Sequence, residues 1–375
     1  MSPVTTTRVP FLDLGAIHGD LKDDLLEAFS SLIDSGAFIN GPQVGEFEEA
    51  FASYVGTAHA VGLASGLDAL RLGLVAAGIQ AGDEVIVPAN TFVATLEAVT
   101  QAGGRPVPVD MSEADWNIDV AAIEAAVGER TRFLLPVHLY GQMADMRALV
   151  ALAERHDLIL FEDACQAHGA ERDGIVAGTA GALAAFSFYP GKNLGAFGDA
   201  GALTTNDGGL ADTVKALREH GQRAKYKHEL EGWTARLDTI QAIVLTAKLA
   251  RLDAWNEERR AIARHYLERL GEVGDLELPP VAPESEPVWH LFVVRTADPE
   301  ALADTLRARG IASGRHYPDA VHLTEAYRWL GYEPGAFPNA ERHADRVLSL
   351  PIFPGMTIEA AEAVVSGVSA FFDGD

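Results

Sequence analysis

The sequence predicts an open α/β fold, a mostly parallel central sheet with helices on both faces, followed by a smaller C-terminal α+β unit. Short apolar runs alternate with amphipathic segments through the first two thirds of the chain, the rhythm of strand–helix–strand crossovers. The apolar runs are crowded with Val, Ile, Leu and Phe and lack polar alternation, so the sheet is expected to be buried on both faces and therefore mostly parallel. After about residue 230 the texture changes to long charged helical patterns and a proline-rich break.

Taken in order, strands are expected at 84–87, 106–110, 132–138, 158–162, 184–188 and 202–205. Helices are expected between them at 66–77, 92–101, 119–127, 145–156 and 209–220, where apolar residues recur at helical spacing. Residues 238–266 read as one long helix or two closely joined ones. The segment 278–287, LPPVAPESEP, holds four prolines and cannot continue a helix. Beyond it HLFVVRT reads as a strand, and 299–309, 342–348 and 358–371 as helices. The expected division is residues 1–250 for a large domain with an N-terminal arm and 251–375 for a small one.

Composition excludes several functions. The 375 residues carry 29 Lys and Arg against 54 Asp and Glu, a formal charge of −25. Nonspecific binding to nucleic acid or to an anionic membrane needs a basic face, so neither is expected. Cys165 is the single cysteine; it forms no intrachain disulfide and suits a reducing cytoplasm as a small packing residue. The opening MSPVTTTRVPFLDL lacks the charge pattern and apolar run of an export signal. No stretch of about 18 uncharged apolar residues occurs to cross a membrane. The twelve histidines form no HExxH or HxxxH pair, so no metal site is expected.

The chemistry is carried by two strand ends. LILFEDACQAHGA runs from an apolar strand into Glu162, Asp163, Gln166 and His168, and AAFSFYPGKNLGAFGDAGA runs from the next into a glycine-rich turn bearing Lys192. Ligands of such sheets sit beyond the carboxyl ends of the strands. A carboxylate at one end and a lysine just past the next is what a pyridoxal phosphate enzyme needs. The amine forms a Schiff base with the cofactor aldehyde, and the carboxylate keeps the pyridine nitrogen protonated. The turn is neither a Walker A loop nor a dinucleotide fingerprint, since its glycine spacing and its strand are wrong for both. A phosphate cradle is expected instead at Ser65, Gly66 and Leu67, where a helix start presents free N–H groups. Arg223, Lys225 and Lys227 crowd one short basic segment, which reads either as a solvated turn or as an anchor for an anionic substrate. His316, in RHYPDAVH, is placed to reach over the cleft.

Seven motifs in order, GDEVIVPANTFVAT, PVHLYGQMADM, EDACQAHGA, SFYPGKNLGAFGDAGA, RLDTIQA, WHLFVV and HYP, span nearly the whole chain. By them the sequence resembles the DegT/DnrJ/EryC1/StrS family of pyridoxal-phosphate-dependent sugar aminotransferases. The resemblance implies the aspartate aminotransferase (type I) fold and a homodimer with sites completed by the partner chain. It makes Lys192 the Schiff-base lysine and Asp163 the partner of the pyridine nitrogen. Gln166 would lie near the cofactor's phenolic oxygen, Phe92 would stack on its ring, and Ser187 would join Gly66 and Leu67 on its phosphate. Tyr189, His316 and Tyr317 would line the sugar pocket. The SFYPGKNLGA form resembles the branch that aminates 3-keto nucleotide sugars, with glutamate as donor, a thymidine-diphosphate deoxysugar as acceptor and the pyridoxamine form of the cofactor between the two halves of the reaction.

Two departures from the family pattern concern the substrate. Thr234 stands in Gly232-Trp233-Thr234-Ala235-Arg236-Leu237-Asp238 where an asparagine is expected to reach the phosphate of the partner's cofactor, and Arg315 precedes His316 where a small or aliphatic residue is usual. An arginine there suits a more acidic acceptor, a uronate or a sugar phosphate. A cyclitol aminotransferase and a noncatalytic regulator on the same fold are the other readings. A dehydratase of the related branch carries histidine in place of the lysine, and Lys192 argues against it.

Overall fold

The computed structural model describes residues 8–374; the first half of the MSPVTTTRVPFLDL segment lies outside the described residues. Seven strands form the central sheet: β1 (His59–Leu63), β2 (Glu84–Pro88), β3 (Arg105–Val109), β4 (Thr131–Leu134), β5 (Ile159–Asp163), β6 (Leu183–Ser187) and β7 (Gly201–Thr205). Their spatial order is β1-β7-β6-β5-β4-β2-β3. The strands run parallel except β7, which pairs antiparallel with both β1 and β6. The interior of the sheet is dry on both faces: Val85, Ile86, Phe161, Ala184, Phe186 and Leu203 are all fully buried. This is why their sequence shows continuous apolar runs rather than alternation.

Two features of the register bring distant segments together. Parallel pairing of β5 with β6 sets Asp163 opposite Ala185, so the carboxyl ends of both strands open on one side. The antiparallel pairs set Leu63 opposite Gly201 and Gly201 opposite Ser187. The chain leaving β1 therefore passes over Gly201 so closely that a Cβ on this glycine would lie 2.3 Å from Ser65 C and O.

The expected elements are present with end shifts of a few residues, and β1 is an addition. Its sequence, HAVGL, is short and holds an interior glycine, which weakens the strand signal. Two early helices are also additions, α1 (Lys22–Ser35) and α2 (Pro42–Val55). Val44, Phe47, Phe51 and Val55 form the buried stripe of α2. The sheet is flanked by α3 (Gly66–Ala76), α4 (Ala94–Gln101), α5 (Met146–His156) and α6 (Gly208–Arg218). The long helical pattern resolves into α7 (Thr239–Leu249) and α8 (Leu252–Leu270). Tyr266, Leu270 and the neighbouring face of α8 enter a separate apolar core with β8 (Phe292–Arg295), α9 (Pro299–Ala308) and α11 (Ile358–Asp373).

One expectation is corrected here. The helix read at 342–348 is α10 (Pro338–Arg346), and it stops where β9 (Val347–Leu350) begins. β9 pairs antiparallel with β8 through Val347–Arg295 and Leu350–Phe292. Pairing across a segment separation of about fifty residues outweighs a local helical pattern, and Val347 takes extended backbone angles. The proline-rich segment also carries a short bridge, Ser285–Glu286 against Glu171–Arg172. Val9 lies on the small unit, where it accepts from Ala312 N at 2.9 Å and donates to Gly310 O at 3.0 Å.

Gly201→Ala is expected to lower stability by about 1–3 kcal/mol, because the added methyl meets backbone atoms rather than a mobile side chain. Urea unfolding checks this, and a midpoint equal to that of the native protein would contradict it.

Candidate active site

Two consecutive carboxylates end β5, and strand pleating sends them to opposite faces of the sheet. Glu162 is fully buried and accepts from the backbone N–H groups of Gly178, Ala180 and Gly181 at 2.7–2.8 Å. His138 Nε2 lies 2.9 Å from its other side. Glu162 is thereby committed to holding a loop. Asp163 faces a cavity of about 600 Å³ that Lys192 also lines. Its Oδ2 accepts from Thr95 Oγ1 at 2.9 Å and its Oδ1 from Cys165 N at 3.2 Å. The backbone around it is pinned as well, with Asp163 N on Pro136 O and His138 N on Asp163 O. Thr95 was not singled out in the sequence; its place in ANTFVAT, four residues after Thr91 at one helical turn, was the available signal.

Lys192 sits in the turn after β6, with its N–H on Tyr189 O at 2.8 Å. Burial lowers its ammonium pKa, and the nearby Cys165 and Asp163 oppose that shift without cancelling it. The neutral amine is therefore more accessible than on a free lysine. Burial and the adjacent Asp163 push the Cys165 thiol well up, so it is a protonated wall of the cavity and not a nucleophile.

At the far end, Ser65 caps α3 and accepts from Asp68 N at 3.0 Å. Its hydroxyl is used on the cap, and the N–H groups of Gly66 and Leu67 lie within the first turn, the place where a helix offers donors to phosphate. A Cβ at Gly66 would come within 2.6 Å of Ser187 Cβ. The two segments thus form one narrow cradle. Gln166 accepts from Tyr140 N at 2.8 Å and donates from Nε2 to Tyr317 OH at 3.2 Å. Phe92 is half-exposed at the cavity mouth, its ring 5.3 Å from that of Tyr317. Tyr189 and His316 complete this side. His316 is fixed by Ser349 Oγ at 2.8 Å and stacks on Phe11.

The imidazoles around Lys192 are neutral. Burial, with Lys192 adding to it, holds His168 down to about 3 and lowers His290 and His316. His168 packs between Phe186 and Phe188. Among the described residues no group of His, Cys, Asp or Glu could hold a metal.

Four expected site residues lie away from this cavity within the chain. Arg315 donates from Nη2 to Ala344 O at 2.6 Å and Asp345 O at 2.9 Å, with Glu300 at 3.7 Å. In this chain its Nη2 is held at the end of α10, away from the cavity lining, and its Nε has no partner. Lys225 and Lys227 are exposed on a hairpin formed by Gln222–Ala224 and Lys227–His228. Thr234 is exposed and pairs with His220 Nε2 at 3.0 Å.

The profile of the DegT/DnrJ/EryC1/StrS aminotransferase family matches residues 20–369. The chain belongs to this family. It is 48% identical over 367 residues to a dTDP-3-amino-3,4,6-trideoxy-alpha-D-glucose transaminase of Streptomyces venezuelae, covering 98% of this chain and 97% of that protein. The crystal structure of S. venezuelae DesV in complex with a ketimine intermediate superposes with a TM-score of 0.96 at 48% identity, over 98% of this chain and 99% of the other. Bacillus subtilis NtdA with bound PMP gives a TM-score of 0.90 at 31% identity, over 98% and 85%.

The chain is accordingly an aminotransferase that uses pyridoxal phosphate, with the aspartate aminotransferase-like fold. The side chains fit that cofactor: a buried carboxylate fixed by Thr95 and the Cys165 amide, an amine of lowered basicity facing the same cavity, and a phosphate cradle that a single methyl would fill.

Because the lowered pKa of Lys192 means more neutral amine at a given pH, the pH midpoint of cofactor uptake by the cofactor-free protein should lie below 10.5, the ordinary lysine value. On the acid side of the lowered pKa the rate should fall about tenfold per pH unit. Stopped-flow absorbance across pH 6–11 checks this; a midpoint at or above 10.5 would contradict it. Asp163→Asn should retain cofactor but turn over on the order of a hundredfold more slowly, since an amide cannot stabilise a protonated ring nitrogen. A loss under about threefold would make the carboxylate structural.

Proposed function

We propose that this protein moves the amino group of glutamate to a 3-keto deoxysugar carried on thymidine diphosphate. The observation that carries the reading is the shared cavity of Lys192 and Asp163, with the phosphate cradle at one end and the Tyr189, His316 and Tyr317 wall beside it. The name of the S. venezuelae relative supports the sugar and the nucleotide.

When bound, pyridoxal phosphate supplies an electron sink for the carbon that gains or loses the amino group. The remaining work falls to the chain. Asp163, fixed by Thr95 and Cys165 N, holds a proton at the ring nitrogen. The N–H groups of Gly66 and Leu67, with Ser187, would hold the phosphate, and Phe92 and Gln166 would contact the ring and its oxygen. Lys192 Nζ would take the proton from the donor's Cα and deliver it to the cofactor carbon that takes up the amino group, its lowered basicity suiting both the uptake and the release.

A homodimer, a cytoplasmic location and a division at residues 250 and 251 belong to the same reading. The division falls between α7 and α8. In a dimer the hairpin bearing Lys225 and Lys227, and the loop at Thr234, would serve the neighbouring site. With Arg315 Nη2 held on backbone carbonyls, the acidic-acceptor reading that rested on it is left without its support.

The test is to load the protein with cofactor, add glutamate and a thymidine-diphosphate 3-keto deoxysugar, and identify the aminated product by mass. Lys192→Ala should be folded and inactive; product at near-native rate would end the proposal. Replacing Lys225 and Lys227 together by alanine should raise the KM for the nucleotide sugar tenfold or more, by about 1.5–3 kcal/mol per charge-assisted phosphate contact. The glutamate half-reaction should stay unchanged, and equal losses in both halves would point to damaged folding.

A further inference from the structure

One cation on the cavity wall is unused by the chemistry around Lys192. Arg259 lies on the buried face of α8 with Leu252, Asn256, Ile262, Ala263 and Tyr266, is 2% exposed, and lines the cavity beside His290 and Ile352. Its Nη1 donates to the carbonyls of Trp289 at 3.2 Å, His290 at 3.4 Å and Ile352 at 2.8 Å. Its Nε has no partner. Among the described residues it makes no ion pair, although the chain holds 54 carboxylate side chains. The carboxylates on the same cavity, Asp163, Glu97 and Asp199, leave it alone as well. Burial alone brings the guanidinium down to about 10, with no neighbouring anion holding it up, so it is charged at neutral pH.

Next to it stands His290, partly buried, with Nδ1 lacking any partner; desolvation first, and then the nearby Lys192 and Arg259, depress its basicity. A buried charge without a counter-ion is costly. Three carbonyls satisfy one arm of the fork and leave the other donors available. A carboxylate is planar and matches the fork in a bidentate way. The proximity of Lys192 decides which molecule brings it: the reacting amine of the donor must come to Lys192, and a carboxylate on that same small molecule then reaches this wall. The diphosphate of the acceptor is bulkier and calls for the cradle or the exposed basic hairpin instead.

From this geometry we infer that Arg259, with His290 beside it, binds a carboxylate of the amino donor. The inference rests on the glutamate-dependent reading above.

The experiment compares glutamate with its two amides, isoglutamine and glutamine, in the donor half-reaction of the cofactor-loaded protein. The native protein is expected to prefer glutamate over at least one amide by tenfold or more in kcat/KM. In Arg259→Lys and Arg259→Gln that preference should fall below about threefold, a ratio that general damage to the fold would not move. An unchanged preference in the variants, or none in the native protein, overturns the inference. An arm without variants follows the 15N signals of His290 in the native holoenzyme as glutarate or glutaramide is added. Glutarate alone should shift them, and signals unmoved by glutarate overturn the inference even where neither variant folds. Absence of any turnover with glutamate would refute the proposed reaction instead, while the glutarate arm still decides what this corner binds.

Discussion

The pairing of β5 with β6 is the constraint from which the site follows. Placing Asp163 opposite Ala185 fixes where the carboxylate stands relative to the turn that carries Lys192. A slip by one residue would exchange the faces of Glu162 and Asp163, and the carboxylate that holds the 178–181 loop would enter the cavity. The register is protected from both sides. Glu162 is held by three backbone donors and His138, and Asp163 by Thr95 and the Cys165 amide. The partners come from four separate segments, the 178–181 loop, His138, α4 and the turn after β5, so the active carboxylate is determined by the packing of the whole domain.

The antiparallel strand β7 has a comparable role at the phosphate end. By standing between β1 and β6 it brings the start of α3 against Ser187, with Gly201 leaving room for the crossing. Backbone donors at a helix start are rigid and already desolvated on one side, which lets them hold an anion in a chain of charge −25 without a local excess of lysine. The sugar end is built differently. Tyr140 N and OH contact Gln166 and His316 O, and Gln166 in turn contacts Tyr317, so hydrogen bonds fasten the wall supplied by the second unit to the first, beside an apolar cluster that joins Val137, Leu139 and Tyr140 to Leu291, Ala340 and Val347.

The acid–base properties of the cavity come from burial. Lys192, His168, His290 and His316 are all pushed toward their neutral forms. A cluster of cations would repel the ring nitrogen's proton and the donor's ammonium. A cluster of neutral bases leaves Asp163 as the group that governs the proton at the ring, with Arg259 the one guanidinium on the cavity wall.

Local sequence determined the strand ends that carry Asp163 and Lys192, the helix start at Ser65, and the change of texture into the second unit. Each depends on contiguous pattern: apolar runs, a capping residue, glycines after a strand. The family motifs likewise sit on contiguous segments, and they fixed the reaction class. The strand His59–Leu63, the switch from helix to strand at Val347, the burial of Arg259 and the turning away of Arg315 were decided by tertiary structure alone. In all four cases the deciding partner is remote in sequence: β7 for the strand, β8 for Val347, the carbonyls of Trp289 and Ile352 for Arg259, and the end of α10 for Arg315. Hydrogen-bond partners and desolvation are properties of the packed chain, and residue type by itself carries no record of them.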